Sequence, residues 1–278
     1  MTTIDVRGTA IGYTDTGTPP GRPDAPAVVF GHGILFGGWM FRHQIAALRD
    51  RYRCVTIDWR GQGETPATRA GYDMDSLTAD AVGLIDALGV GPAHWVGLSI
   101  GGFVGQRIAA RHGDRLRSLT LLGTSADADP PATAREETML AWFQVLSGIK
   151  PLLGKVKPLM FGPAFLADPA SAGVIAEWLR RLQVSSRSGT RKAVLGVVGR
   201  AAVADEIDRI TVPTLVAVGA DDQTMPLVRS ERIAALIPGA QLRVIADCGH
   251  SSALEQPTVL SGLLAEFLGT VDQATIGA

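Results

Sequence analysis

Ala93-His94-Trp95-Val96-Gly97-Leu98-Ser99-Ile100-Gly101-Gly102 is the stretch around which the chain is organised. Its apolar head, Ala93 to Val96, reads as a short buried strand, and Phe103 to Arg111 reads as the helix that follows. Between them lies Gly-x-Ser-x-Gly, the spacing at which a strand reverses sharply into a helix with a serine at the apex. Side chains two residues either side of that serine would collide with neighbouring backbone, so glycine has a physical task there. A serine on so tight a turn is strained, a state that folds keep mainly at functional sites.

Working outward, the same strand–helix alternation recurs. Ala27-Val28-Val29-Phe30, Cys54-Val55-Thr56-Ile57 and Leu116 to Leu122 are continuous apolar runs of strands buried on both faces. Trp39 to Leu48 has helical spacing. So do Leu77, Ala81, Leu84, Ile85 and Leu88, a helix that Asp75 or Ser76 can cap and Gly89 closes. Residues 4–14 alternate as an opening hairpin, and Gly17 to Pro26 is a loop rich in proline and glycine. From Ala126 to Ala204 the alternation stops and only helical periodicity remains. It resumes with Pro213 to Gly219, Gln241 to Ala246 and a closing helix on Leu260, Leu263, Leu264, Phe267 and Leu268. The pattern predicts an α/β fold: a mostly parallel sheet flanked by helices, made of residues 1–125 and 205–278, with a helical insertion at 126–204.

Composition narrows the function classes. The 278 residues are 46% hydrophobic, enough for a large core, and 26 basic residues nearly balance 27 acidic ones. No basic block points to nucleic acid or an anionic membrane surface. Cys54 and Cys248 permit one disulfide at most, and two buried thiols in a reducing compartment are the simpler expectation. The first residues lack an apolar signal-peptide core, so a cytoplasmic protein is expected. No metal or cofactor is implied, and oligomeric state is left open.

In open parallel sheets, ligands bind beyond the carboxyl ends of the strands. The polar residues there are His32 after the Phe30 strand, Ser99 after Val96, Asp221-Asp222 after Val218, and His250 after Ile245. Serine becomes a competent nucleophile when a histidine takes its proton, and a carboxylate orients that histidine. The chain order serine, aspartate, histidine, each at a strand end, is the order of one fold.

On these motifs the sequence resembles the α/β-hydrolase superfamily over nearly its whole length. The matching elements are His32-Gly33, Asp58-Trp59-Arg60-Gly61-Gln62-Gly63, the Ser99 turn, Gly219 to Pro226 and Cys248-Gly249-His250. The resemblance implies Ser99 as nucleophile and His250 as base. It implies Asp222 as orienting acid, with Asp221 the second choice and Asp127 or Asp129 the alternative used in some branches. It also implies an oxyanion hole from the backbone N–H groups of Ile34 and Ile100, with His32 bracing that loop. The Ser99 turn and Leu254-Glu255-Gln256-Pro257 are similar to 3-oxoadipate enol-lactonases, so hydrolysis of a carboxylic ester or lactone is the expected reaction.

Departures weigh on the alternatives. Ser251 follows the histidine where carbon–carbon bond hydrolases have tryptophan, and Ile100 follows the serine where haloperoxidases and perhydrolases have methionine. Epoxide hydrolases use an aspartate in place of Ser99. A receptor that retains the fold is a reading of another class, disfavoured by the intact Ser, Asp and His set. The insertion reads as a cap, with Trp142, Phe143, Phe161 and Trp178 as expected substrate-binding residues in a mainly apolar pocket. Arg187, Arg191, Lys192 and Arg200 are candidates to meet a substrate carboxylate instead.

Overall fold

Thr2–Val6 (β1) and Thr9–Asp15 (β2) form an antiparallel hairpin that turns at Arg7 and Gly8, both at positive φ. The computed structural model describes residues 2–148 and 150–276. Six more strands follow among them: β3 (Ala27–Gly31), β4 (Arg53–Ile57), β5 (Ala93–Leu98), β6 (Leu116–Leu122), β7 (Thr214–Gly219) and β8 (Gln241–Ile245). The sheet order is β1-β2-β4-β3-β5-β6-β7-β8, antiparallel as far as β4 and parallel beyond it.

Helices cover both faces because alternate strand residues point to opposite sides. Val29, Val55, Trp95, Leu119 and Val216 pack against α2 (Met74–Leu88) and α3 (Ile100–Arg111). Val28, Phe30, Val96, Leu122 and Leu215 share the opposite core with α1 (Arg42–Leu48) and the closing helix, which is Pro257–Ile276. Two local expectations change. Trp39 lies in a 3-10 turn, Gly38–Phe41, before α1 begins. The cap of α2 is Asp73, whose carboxylate accepts the Ser76 N–H at 2.8 Å, because Asp73 alone has the extended backbone that aims a side chain at the third helical N–H.

Between β6 and β7 come α4 (Pro131–Ser147), α5 (Leu153–Met160), α6 (Pro163–Ala167), α7 (Ala172–Val184) and α8 (Arg187–Val198), with no strand among the described residues. This helical segment sits over the carboxyl ends of the strands. Thr224 donates to the Leu159 carbonyl at 2.6 Å, Ser251 to that of Met160 at 2.6 Å, and the Trp178 indole to that of Leu35 at 3.1 Å. Phe161 and Trp178 join the same buried cluster as α1 and the closing helix, so the segment packs into the sheet's own core. After β7 come α9 (Leu227–Leu236), the single turn α10 (Ser252–Glu255), and the closing helix, α11. No described helix is long and apolar enough to cross a membrane.

Candidate active site

The strand order reverses between β3 and β5, which opens a crevice at their carboxyl ends. Gly31 of β3 pairs with Gly97 of β5, so the loop from His32 and the turn at Ser99 leave the sheet side by side. Ser99 stands at φ 54° and ψ −108°, a conformation costly for a residue with a side chain. The turn is over-determined: the Ser99 N–H bonds the Leu122 carbonyl, and its carbonyl accepts from Gly102 and Phe103 N–H and from Thr124 Oγ1. Close approach explains its glycines. A Cβ on Gly101 would lie 2.0 Å from the Gly31 carbonyl oxygen, and one on Gly97 2.1 Å from that of Gly101. Ile100 opens α3, where N–H groups have no acceptor within the helix and the helix dipole favours negative charge.

His32 is fully buried, and burial holds its pKa below the usual imidazole value against the pull of Asp58. Trp59 N–H donates to its Nε2 at 3.1 Å, so the ring proton sits on Nδ1, which donates to the Gly33 carbonyl at 2.7 Å. Fixing that carbonyl fixes the trans peptide, and with it the opposite-facing N–H of Ile34. Gly33 itself lies against the turn, where a Cβ would meet Leu98 Cδ2 at 2.6 Å and Ser99 Cβ at 3.6 Å.

The structure pairs His250 with Asp222, Nδ1 to Oδ2 at 2.8 Å, both fully buried at the side chain. The other Asp222 oxygen accepts Thr224 and Met225 N–H at 2.9 and 2.8 Å, which leaves Oδ2 to the imidazole. Burial opposes protonation of His250, but the adjacent carboxylate outweighs it and raises the pKa above the ordinary value. His250 Nε2 is buried without a partner. The alternative acids are engaged elsewhere: Asp127 pairs with Arg232 at the surface, Asp129 with Arg200 and Arg229, and Asp221 is exposed. Gly123, at φ 45°, lets β6 end against this pair; a Cβ there would stand 2.8 Å from Asp222 Oδ2 and 3.2 Å from His250 Nδ1.

Glu255 has a part that the stretch Leu254-Glu255-Gln256-Pro257 does not by itself assign. Its carboxylate accepts Gly249 and Ser251 N–H, on either side of His250, and Gly162 N–H from the helical segment. Burial raises its pKa despite these three donors.

A cavity of about 200 Å³ adjoins Ser99 and Ile34, walled by Leu140 and Ala141 of α4, Val156 and Met160 of α5, and Val194 and Val197 of α8. The four aromatics expected to bind substrate are not among its lining residues. Trp142 and Phe143 face outward and are about half exposed, while Phe161 and Trp178 are spent on packing with Phe36. The opposite face of α4 lines the cavity, and nothing local to α4 distinguishes the two faces.

A family model described as the alpha/beta hydrolase family matches residues 28–262. The chain belongs to that family. It is similar to 3-oxoadipate enol-lactonase 2 of Acinetobacter baylyi, 26% identical with 92% of this chain and 91% of that protein covered. Epoxide hydrolase A of Mycobacterium tuberculosis is 28% identical, with 95% and 96% covered. Among solved structures, a thermophilic esterase from Thermogutta terrifontis superposes with a TM-score of 0.87 at 28% identity, covering 97% of each chain. The names of these relatives differ in substrate: an enol-lactone, an epoxide and an ester.

Proposed function

We propose that the protein hydrolyses a carboxylic ester or lactone through an acyl-enzyme on Ser99. The observation that carries this reading is His250: Asp222 holds its Nδ1, and its buried Nε2 is left unpaired at the same end of the sheet as the Ser99 turn. Ser99 Oγ attacks the carbonyl carbon and gives its proton to Nε2. The oxyanion lies on the Ile34 and Ile100 N–H groups, each such donor contributing about 3–4 kcal/mol. As the carbon–oxygen bond breaks, His250 returns the proton to the leaving alkoxide. Water then adds to the acyl-serine and gives a proton to His250, which passes it to Ser99 Oγ as the acid is released, restoring the free serine and neutral imidazole. The lactonase and esterase among the relatives support this choice of bond, and residues 126–204 act as a cap whose underside holds the substrate small molecule.

The test is a fluorophosphonate probe combined with a panel of p-nitrophenyl esters and lactones. Labelling is expected at Ser99, with hydrolysis by Ser99→Ala and His250→Ala near background. Wild-type rates in Ser99→Ala would overturn the assignment.

A further inference from the structure

We propose that Gln144 determines specificity in the cavity: its side-chain amide receives a neutral hydroxyl carried by the substrate's acyl chain, and the same cavity rejects a terminal carboxylate. The inference rests on the reading of Ser99 as nucleophile. Gln144 lines the cavity, is 7% exposed, and its Oε1 is buried with no partner. A buried amide oxygen left unpaired is unfavourable, so a ligand that donates to it gains what the empty pocket lacks. Thr133, at the start of α4, and Gln223 are exposed lining residues and mark the open end. Gln144 lies eleven residues along the helix from Thr133, about 16 Å, and with buried Thr190 it marks the closed end.

The cavity offers an anionic acyl chain no cation among its described lining residues. The charged residues lining the cavity, among those described, are Asp129 and Glu137, both acids. The nearby cations already have partners, and Arg229 shares Asp129 with Arg200 at 2.9 Å. Arg200 is bidentate on Asp129 at 2.5 and 2.8 Å, and Lys192 donates to the Thr68 carbonyl at 2.6 Å. Arg191 lies 4.2 Å over the outward-facing Trp142 ring, and Arg187 reaches the Val145 carbonyl. Asp129 is matched by both Arg200 and Arg229, and burial raises the pKa of Glu137, so a carboxylate taken into this cavity would lose its water with no cation among the described lining residues to replace it.

Three methyl esters of matched length, followed by pH-stat titration, test this: methyl heptanoate, methyl 6-hydroxyhexanoate and monomethyl adipate. In the wild-type protein kcat/KM is expected to be about tenfold higher for the hydroxy ester than for the alkyl ester, the worth of one neutral hydrogen bond, with monomethyl adipate slowest. In Gln144→Leu, and in the closely isosteric Gln144→Met should the first fold poorly, the hydroxy-to-alkyl ratio falls to about one or below. A wild-type ratio in the folded variants, or a wild-type preference for monomethyl adipate, overturns the proposal. Ser99→Ala run alongside separates the two ideas. Loss of all hydrolysis there with an unaltered ratio in the Gln144 variants sinks the Gln144 assignment alone; full hydrolysis there sinks the nucleophile and this assignment with it.

Discussion

His250 and Asp222 share one hydrogen bond, and its electrostatics set a measurable pH dependence. A general base must be unprotonated, so kcat/KM rises with pH as His250 loses its proton. Because Asp222 raises the His250 pKa, the midpoint of that rise is expected above the ordinary histidine value of about 6.5. Asp222→Asn removes the charge that opposes burial, so the midpoint moves down. Loss of the orienting carboxylate lowers kcat on the order of 10⁴-fold. Profiles of ester hydrolysis for both proteins check the two effects together, and a variant with the wild-type profile would remove Asp222 from this role. Among the candidate acids the choice turns on contacts: four aspartates stand near the right strand ends in sequence, and Asp222 is the one that touches the imidazole.

At the scale of the element, the strand–turn–helix around Ser99 is held by close backbone contact, with the Thr124 hydroxyl and the Trp95 indole N–H donating to its Ser99 and Gly101 carbonyls. Gly101→Ala would push a methyl group into the Gly31 carbonyl, which neither main chain can yield without moving the turn. Overpacking of this sort costs about 1–3 kcal/mol or more. The expected outcome is a lower urea midpoint together with a large loss of kcat, since β3 and the Ser99 turn separate. Gly113→Ala, whose added Cβ meets nothing within 4 Å, is the control, with a change within about 0.5 kcal/mol. Equal midpoints for the two variants would show that the close approach is not what holds the turn.

Across the whole molecule, Trp178 joins the helical segment to the sheet. Its ring lies against Phe36 at 6.0 Å and edge-on to Phe161 at 5.3 Å, and its indole N–H holds the Leu35 carbonyl beside Ile34. Trp178→Ala is expected to destabilise the protein by about 3–5 kcal/mol. It should also lower kcat by loosening the loop that carries Ile34. Trp178→Phe keeps most of the packing and loses the hydrogen bond, so its melting temperature should stay much nearer the wild-type value while kcat still falls. Thermal unfolding and ester hydrolysis on both variants separate packing from positioning.

Much of the fold was legible because its causes are local. Apolar runs such as Ala27 to Phe30, glycines at a turn too tight for side chains, and polar residues just past strand ends are all written within a few positions of one another. Their order along the chain was enough to name Ser99, an aspartate and His250 as candidates. The walls of the cavity were not legible. Trp142 and Gln144 stand two residues apart on α4, yet one faces solvent and the other the cavity, because α8 packs along one side of that helix. Glu255 gained its part from a Gly162 N–H that lies 93 positions away in the chain. Arg200 and Lys192 were unreadable as free or engaged until Asp129 and Thr68 came within reach. Backbone geometry is a property of neighbouring residues, whereas partners for buried polar groups exist only once distant segments are packed together.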